Sequence, residues 1–340
     1  MSDRVLVTGI SGFLGGHVAL ALLAAGYRVR GSLRDAARAP GVREALRRAG
    51  ADVSRLEFVA LELGRDEGWR VALRGCRYLQ HVASPLAVRM PKDRDAMIRP
   101  ALEGTRRAVA AALAAGVERI VLTSSTAAIM AGHERGHAEP FSEADWSRTD
   151  GAGISAYAES KTRAELEAWS LMEEAGRRDD LAVINPAVIL GPLLDDDPGI
   201  SGLLVKRLLD GSVPAVAHLD LALVDVRDVA ALQRNAMLSP RAGGRRHLAA
   251  AGSLDLVDLA RGLRARFPGH AARIPRLVLP DWAVRLYARF DADLRDNLGA
   301  LGPPRAIDNR QALALLGRPF TAPAEAAAAT AASLIARRLV

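Results

Sequence analysis

Compact apolar runs alternate with stretches of helical spacing through the first 185 residues. Arg4 to Thr8 reads as a strand, and Phe13 to Ala25 as a helix that stops near Gly26. Tyr27 to Leu33 predicts a second strand, the polar stretch Val42 to Ala49 a helix, and Leu56 to Leu61 a third strand. A helix through Trp69 to Leu73 leads to a fourth strand over Tyr78 to Val82. Met97 to Ala115 predicts a long helix with Gly116 at its stop, and Arg119 to Thr123 a fifth strand. A loop then runs to about Ile154, before a helix over Ser155 to Ala175 and a strand over Leu181 to Asn185 that ends at Pro186. Strands apolar throughout are covered by helices on both faces, so this alternation predicts an α/β fold with a parallel sheet.

Beyond Pro186 the pattern breaks at Gly191-Pro192, at an acidic turn over Asp195 to Asp197, and at Pro198-Gly199. Val224 to Leu238 returns to strand then helix, and Arg246 to Ala250 to a strand. Ser253 is placed to cap a helix over Leu254 to Phe267, and an alanine-rich helix near Ala322 to Leu339 closes the chain. The expected organisation is a dinucleotide-binding unit over residues 1–186 plus about 222–250. A smaller substrate lobe, mainly C-terminal, takes about 187–221 plus 251–340.

A chain of 340 residues, 50% apolar and 25% charged, can bury a sizeable core. Its one cysteine, Cys76, excludes internal disulfides and fits a reducing compartment. With no apolar run long enough for a membrane span and no signal-peptide layout at Met1 to Val7, the expectation is a soluble, cytoplasmic protein without membrane partners. The net charge of +7 comes from 43 arginines and three lysines spread over the whole length, with aromatics at only 4%. That scatter argues against a nucleic-acid stripe, and local arginines suit a phosphorylated cofactor better. His133 and His137, with Glu134 and Glu139, occupy an irregular loop, and no metal site is expected there.

Thr8-Gly9-Ile10-Ser11-Gly12-Phe13-Leu14-Gly15 lies between the first strand and the first helix. Gly9 permits the tight turn, Gly12 lets backbone N–H groups approach a pyrophosphate, and Gly15 permits close helix–strand packing. The setting predicts a Rossmann-type doubly wound sheet that binds a dinucleotide. At the end of the second strand, Arg34 comes before Asp35, with Arg38 close behind. An arginine there suits a 2′-phosphate and an acid the bare ribose, so the register favours NADP(H) over NAD. Glu62-Leu63 follows the third strand, where a side chain can reach an adenine.

Tyr157 and Lys161 stand four residues apart, on one face of a helix. An ammonium beside a phenol stabilises the phenolate, which suits the tyrosine to proton transfer near neutrality. Thr123-Ser124-Ser125-Thr126 ends the fifth strand, at the edge where open α/β sheets bind ligands. A serine hydroxyl there can hold a carbonyl for protonation by Tyr157.

On these motifs the chain resembles the extended short-chain dehydrogenase/reductases, in particular the dihydroflavonol reductase and cinnamoyl-CoA reductase group. Further carriers of the likeness are His81-Val82-Ala83-Ser84-Pro85, Asn185-Pro186 through Leu190-Gly191-Pro192, and Val224 to Val229. The resemblance implies Ser125 as the carbonyl-orienting serine, with Ser124 as the fallback, Tyr157 as general acid, and Lys161 on the nicotinamide ribose. It places the phosphates on the backbone of Gly9, Phe13 and Leu14, and the 2′-phosphate on Arg34. Glu62 and Leu63 fall at the adenine, Ala83 and Ser84 along the cofactor, and Pro186 and Val188 beside the nicotinamide. Glu62 departs from the aspartate more usual at its position.

The implied activity is NADPH-dependent reduction of a ketone or aldehyde to an alcohol, or the reverse, by hydride transfer. Ile129, Met130, Leu190, Leu193, Leu203, Leu204, Leu219 and Leu223 suggest a pocket for a bulky apolar or aromatic small molecule, though each is equally explicable as core. Monomer and homodimer are both open. Rival readings are a sugar-nucleotide epimerase or dehydratase, a hydroxysteroid-type dehydrogenase, and a silent NADP-binding sensor. Ser125 is followed by Thr126-Ala127-Ala128 rather than the acidic pair that dehydratases use, and a sensor would tend to lose the Tyr157–Lys161 pair.

Overall fold

The computed structural model describes residues 3–84, 93–133, 140–151, 153–290, 298, 301 and 304–340. Pro85, His137, Glu134 and Glu139 lie outside these. The first half runs β1 (Arg4–Thr8), α1 (Phe13–Ala24), β2 (Arg28–Leu33), α2 (Ala39–Arg48), β3 (Leu56–Ala60), α3 (Trp69–Leu73) and β4 (Tyr78–His81). It continues through α4 (Asp95–Ala114), β5 (Arg119–Thr123), α5 (Ala156–Glu174) and β6 (Leu181–Pro186). The second half runs β7 (Val188–Leu190), α6 (Gly199–Asp210), β8 (Val216–Ala217), β9 (Asp220–Asp225), α7 (Val226–Leu238) and β10 (Arg245–Ala249). After β11 (Gly252–Asp255) and α8 (Leu256–Arg266) come β12 (Val278–Leu279), α9 (Asp281–Tyr287) and two further helices, Arg310–Leu316 and Pro323–Ala336.

Among the described residues the main sheet has seven strands in the order β10-β6-β5-β4-β1-β2-β3, and every adjacent pair is parallel. Alternation along β1 shows how it is covered. Val5 and Val7 enter a core with α1 and α7, while Leu6 enters a second core with α3, α4 and α5. α1 is apolar all round because it lies between sheet and α7, burying Val18, Leu22 and Leu23. The chain leaves β1 for β2 on one side and returns to β4 on the other. This strand-order reversal opens a crevice at the carboxyl ends of β1 and β4, where α/β sheets take ligands.

A third core belongs to the remaining elements. Leu190, Leu193, Leu219 and Leu223 pack there with Leu208, Leu259, Leu263 and the inward alanines Ala326, Ala327 and Ala331 of Pro323–Ala336. Those four leucines are therefore packing residues, and Ile129 is likewise buried in the main core. Of the expected apolar pocket, Met130, Leu203 and Leu204 keep partial exposure. Trp169 is buried, whereas Trp282 is 70% exposed and belongs to no core.

The helix after β10 corrects one expectation. Ser253 lies inside β11, paired with Ala222 of β9, and the cap is Asp255, whose carboxylate accepts the Val257 N–H at 2.8 Å. A strand hydrogen-bonded to β9 delays the helix by two residues, so Asp255 caps it in place of Ser253. Asp225 caps α7 in the same way, through the Arg227 N–H, and Asp228 accepts from Arg318 Nη2 and the Thr321 N–H. The Val224 to Val229 motif thus orders the joint between strand, helix and the C-terminal segment.

Candidate active site

The glycine turn is built as its spacing requires. Gly9 has φ of +69°, a region open to glycine, and the Gly12 N–H donates to its carbonyl at 3.0 Å. Gly12 is exposed, and a Cβ there would meet only the Gly9 carbonyl oxygen, at 3.4 Å. Bare backbone therefore faces outward at the N-terminus of α1, whose first turn holds no acidic residue. This cradle fits a pyrophosphate, since open N–H groups and the helix dipole both favour an anion. Phe13 and Leu14 begin α1 directly behind it.

Arg34 and Asp35 stand exposed at the end of β2. Asp35 spends its carboxylate on the Ala37 N–H, at 2.9 Å, capping a short 3-10 turn. Arg38 reaches back to the Ser11 carbonyl at 3.4 Å. Arg38, rather than Asp35, thus reaches the turn. Glu62 is exposed beyond β3 and pairs with Arg65 at 2.9 Å, while Leu63 packs toward Gly104 on α4. Asp195, which the sequence marked only as part of an acidic turn, lines a small pocket with Ser11, Gly12 and Phe13 and with Val42 and Leu46 of α2. Burial pushes its carboxyl above the usual range.

Across the crevice, Thr8 organises the end of β4. Its hydroxyl oxygen accepts the N–H groups of Val82 and Ala83, at 3.1 and 3.0 Å, and lies 3.0 Å from His81 Nδ1. With both N–H groups donating inward, the hydroxyl proton goes to Nδ1, which leaves a neutral His81 with its proton on Nε2. Burial, reinforced by the Lys161 ammonium, lowers His81 to about 3. Ala83 in turn packs against Gly9, where a Cβ would stand 3.0 Å from it. Ser84, half-buried, follows at the crevice.

Tyr157 and Lys161 occupy the first turns of α5, whose cap is Ser155, its hydroxyl accepting the Ala158 N–H at 3.1 Å. The Lys161 ammonium sits 5.9 Å from the Tyr157 ring centroid, and the lysine is buried while the tyrosine keeps partial exposure. The two serines after β5 have different partners. Ser124 donates to Glu165 Oε2 at 2.5 Å; Ser125 accepts the Ala127 N–H at 3.1 Å and caps a 3-10 turn. Pro186 ends β6, buried, and Val188 opens β7, half-buried.

Sequence reasoning missed Glu165 and Arg246, a buried ion pair at 2.6 Å that reaches this region from α5 and β10. Its signal was an acid four residues after Lys161, on the face that also buries Trp169. Among the described residues no cluster of His, Cys, Asp and Glu could hold a metal, and no helix is long and apolar enough to cross a membrane.

Comparison with known proteins agrees with this geometry. Residues 5–251 match the model of the NAD dependent epimerase/dehydratase family. Cinnamoyl-CoA reductase 1 of Oryza sativa subsp. japonica is 36% identical over 275 residues, covering 79% of this chain and 77% of that one. Tetraketide alpha-pyrone reductase 2 of Arabidopsis thaliana is 31% identical over 250 residues, 72% and 76% of the two chains. The yeast methylglyoxal/isovaleraldehyde reductase Gre2, solved with NADPH, superposes with a TM-score of 0.80 at 25% identity, over 99% of this chain and 100% of that one. The chain therefore belongs to the NAD dependent epimerase/dehydratase family, within the extended short-chain dehydrogenase/reductases and among relatives of the cinnamoyl-CoA reductase type.

Proposed function

We propose that the chain is an NADP(H)-dependent carbonyl reductase in which Tyr157 is the general acid/base. Its cofactor unit comprises residues 1–186 plus about 222–250, and its substrate lobe about 187–221 plus 251–340. The glycine turn of Gly9, Gly12 and Gly15, with the backbone of Phe13 and Leu14, holds the pyrophosphate, and Arg34 takes the 2′-phosphate. Glu62 and Leu63 border the adenine, Ala83 and Ser84 line the cofactor, and Pro186 and Val188 flank the nicotinamide. When bound, the reduced nicotinamide supplies the hydride.

This chain's own residues then do the rest. Ser125 accepts a backbone N–H and keeps its hydroxyl proton for a substrate carbonyl, whereas the Ser124 proton is engaged by Glu165. That difference favours Ser125 as the carbonyl-holding serine. Tyr157 protonates the oxygen as it becomes an alkoxide, and the Lys161 ammonium stabilises the phenolate left behind. His81, neutral and buried, adds no competing positive charge beside Lys161.

The observation that carries the reading is the Tyr157–Lys161 pair, ammonium 5.9 Å from the ring, on the helix beside the carboxyl end of β5. A bulky apolar or aromatic carbonyl compound is the expected substrate, with the partly exposed Met130, Leu203 and Leu204 as its candidate contacts. The test is NADPH oxidation, followed by absorbance, with a panel of aldehydes and ketones. Turnover with at least one bulky member supports the reading; tight NADPH binding without turnover on any of them favours a sensor. Turnover that never consumes NADPH points to epimerase chemistry.

A further inference from the structure

We infer that Glu165 is a positioning residue that fixes where the Ser125 hydroxyl stands relative to Tyr157, acting through Ser124, Asn185 and Arg246; the inference rests on the reductase reading above. Glu165 is buried, and Arg246 is only 7% exposed. The carboxylate accepts from Ser124 Oγ at 2.5 Å, Asn185 Nδ2 at 2.7 Å, Arg246 Nε at 2.6 Å and, more loosely, Arg246 Nη2 at 3.4 Å and Trp169 Nε1 at 3.3 Å. Arg246 spends its other N–H groups on carbonyls of the loop after Ser125: Ala128 at 3.2 Å, Glu143 at 3.1 Å, and Asp145. All five guanidinium donors are used.

Ser125 is held from both sides by this arrangement. On its N-terminal side Ser124 is tied to Glu165, and its own carbonyl accepts from Asn185 Nδ2 at 3.3 Å. On its C-terminal side the 3-10 turn that it caps ends at Ala128, whose carbonyl is tied to Arg246. Glu165 also lies one helical turn past Lys161 and two past Tyr157, on the same side of α5. A single carboxylate therefore joins the helix of the proton donor to the ends of β5 and β6. Packing alone does not require it, since apolar residues of similar volume in place of a buried ion pair are often neutral or stabilising. Fixing two reacting groups on separate elements does give one.

A double-mutant cycle tests this, with melting temperature, NADPH affinity by fluorescence, and kcat and KM for one carbonyl substrate as readouts. Glu165→Gln and Ser124→Ala are each expected to lower kcat roughly 10-fold or more, with NADPH affinity unchanged, because their effect is misplacement at the reacting centre. The double variant is expected to lose no more kcat than Glu165→Gln alone, and its loss of melting temperature should likewise fall short of the sum of the two, because both residues belong to one hydrogen bond. Ser125→Ala should lose more than Ser124→Ala. Wild-type kcat in Ser124→Ala overturns the inference, as do kcat losses that multiply in the double variant. So does a Ser124→Ala loss larger than that of Ser125→Ala, which would make Ser124 the carbonyl-binding group. Ser124→Ala leaves the ion pair in place, so it decides the matter alone if Glu165→Gln does not fold. A wild type that turns over no carbonyl counts instead against the reductase reading itself.

Discussion

Gly15 lies so close to Gly9 that a Cβ added to Gly15 would stand 2.1 Å from the Gly9 carbonyl oxygen and 3.0 Å from the Ile10 Cα. The third glycine of the turn is thus a packing requirement between α1 and the loop, while Gly12 faces outward over uncrowded space. The two should fail differently. Gly15→Ala forces backbone apart and is expected to cost about 1–3 kcal/mol of stability along with NADPH binding. Gly12→Ala should leave the melting temperature near wild type and weaken NADPH binding. Thermal melts paired with fluorescence titrations separate the two effects.

On the proposed reading Arg34 sets the cofactor choice, with Asp35 used as a cap. Arg34→Ala is expected to weaken NADPH by roughly 10- to 100-fold, the worth of a charge-assisted contact, while leaving NADH almost unchanged. Paired titrations with the two nucleotides measure this. An equal loss for both would move the 2′-phosphate contact to another residue.

Stability should fall as pH drops below neutrality. His81 is lowered to about 3 and His247 to about 4, mainly by burial, so the unfolded chain binds protons that the folded chain refuses. Stability then rises with pH between these values and the ordinary histidine value near 6.5, each histidine contributing up to about 1.4 kcal/mol per pH unit. Melting temperatures across pH 4 to 7 should show the slope, and His81→Asn should reduce it. A slope unchanged in that variant would assign the effect to other groups.

The cap of α8 gives a clean comparison. Asp255→Ala removes an acceptor for the Val257 N–H and should cost about 1 kcal/mol, whereas Ser253→Ala, in an exposed strand position, should cost much less. Urea denaturation of the two variants reads the difference.

Much of the first half was legible because its local signals agree. The strands Arg4–Thr8 and Arg119–Thr123 and the helix Trp69–Leu73 fall where the apolar pattern places them, and the glycine spacing carries its own geometry. Less was legible after Pro186, where the chain contributes to a small antiparallel-edged sheet. β11 pairs with β9 across about thirty residues, and no local pattern foretells that it overrides Ser253 as a cap. Glu165 and Arg246 were invisible for a related reason. They lie 81 residues apart, and only the β6–β10 pairing brings the guanidinium under α5. Leu190, Leu193, Leu219 and Leu223 could be read either way and are core, because a core leucine and a pocket leucine share one sequence signal.

The central claim is that the phenol of Tyr157 donates the proton while other groups hold the cofactor. Tyr157→Phe removes one oxygen atom and keeps the ring beside Lys161. Measured with NADPH and a carbonyl that the wild type reduces, this variant is expected to lose roughly 100- to 10,000-fold in kcat while binding NADPH as tightly as before. A Tyr157→Phe protein that turns over at near the wild-type rate, or one that loses NADPH binding in step with its activity, would contradict the account.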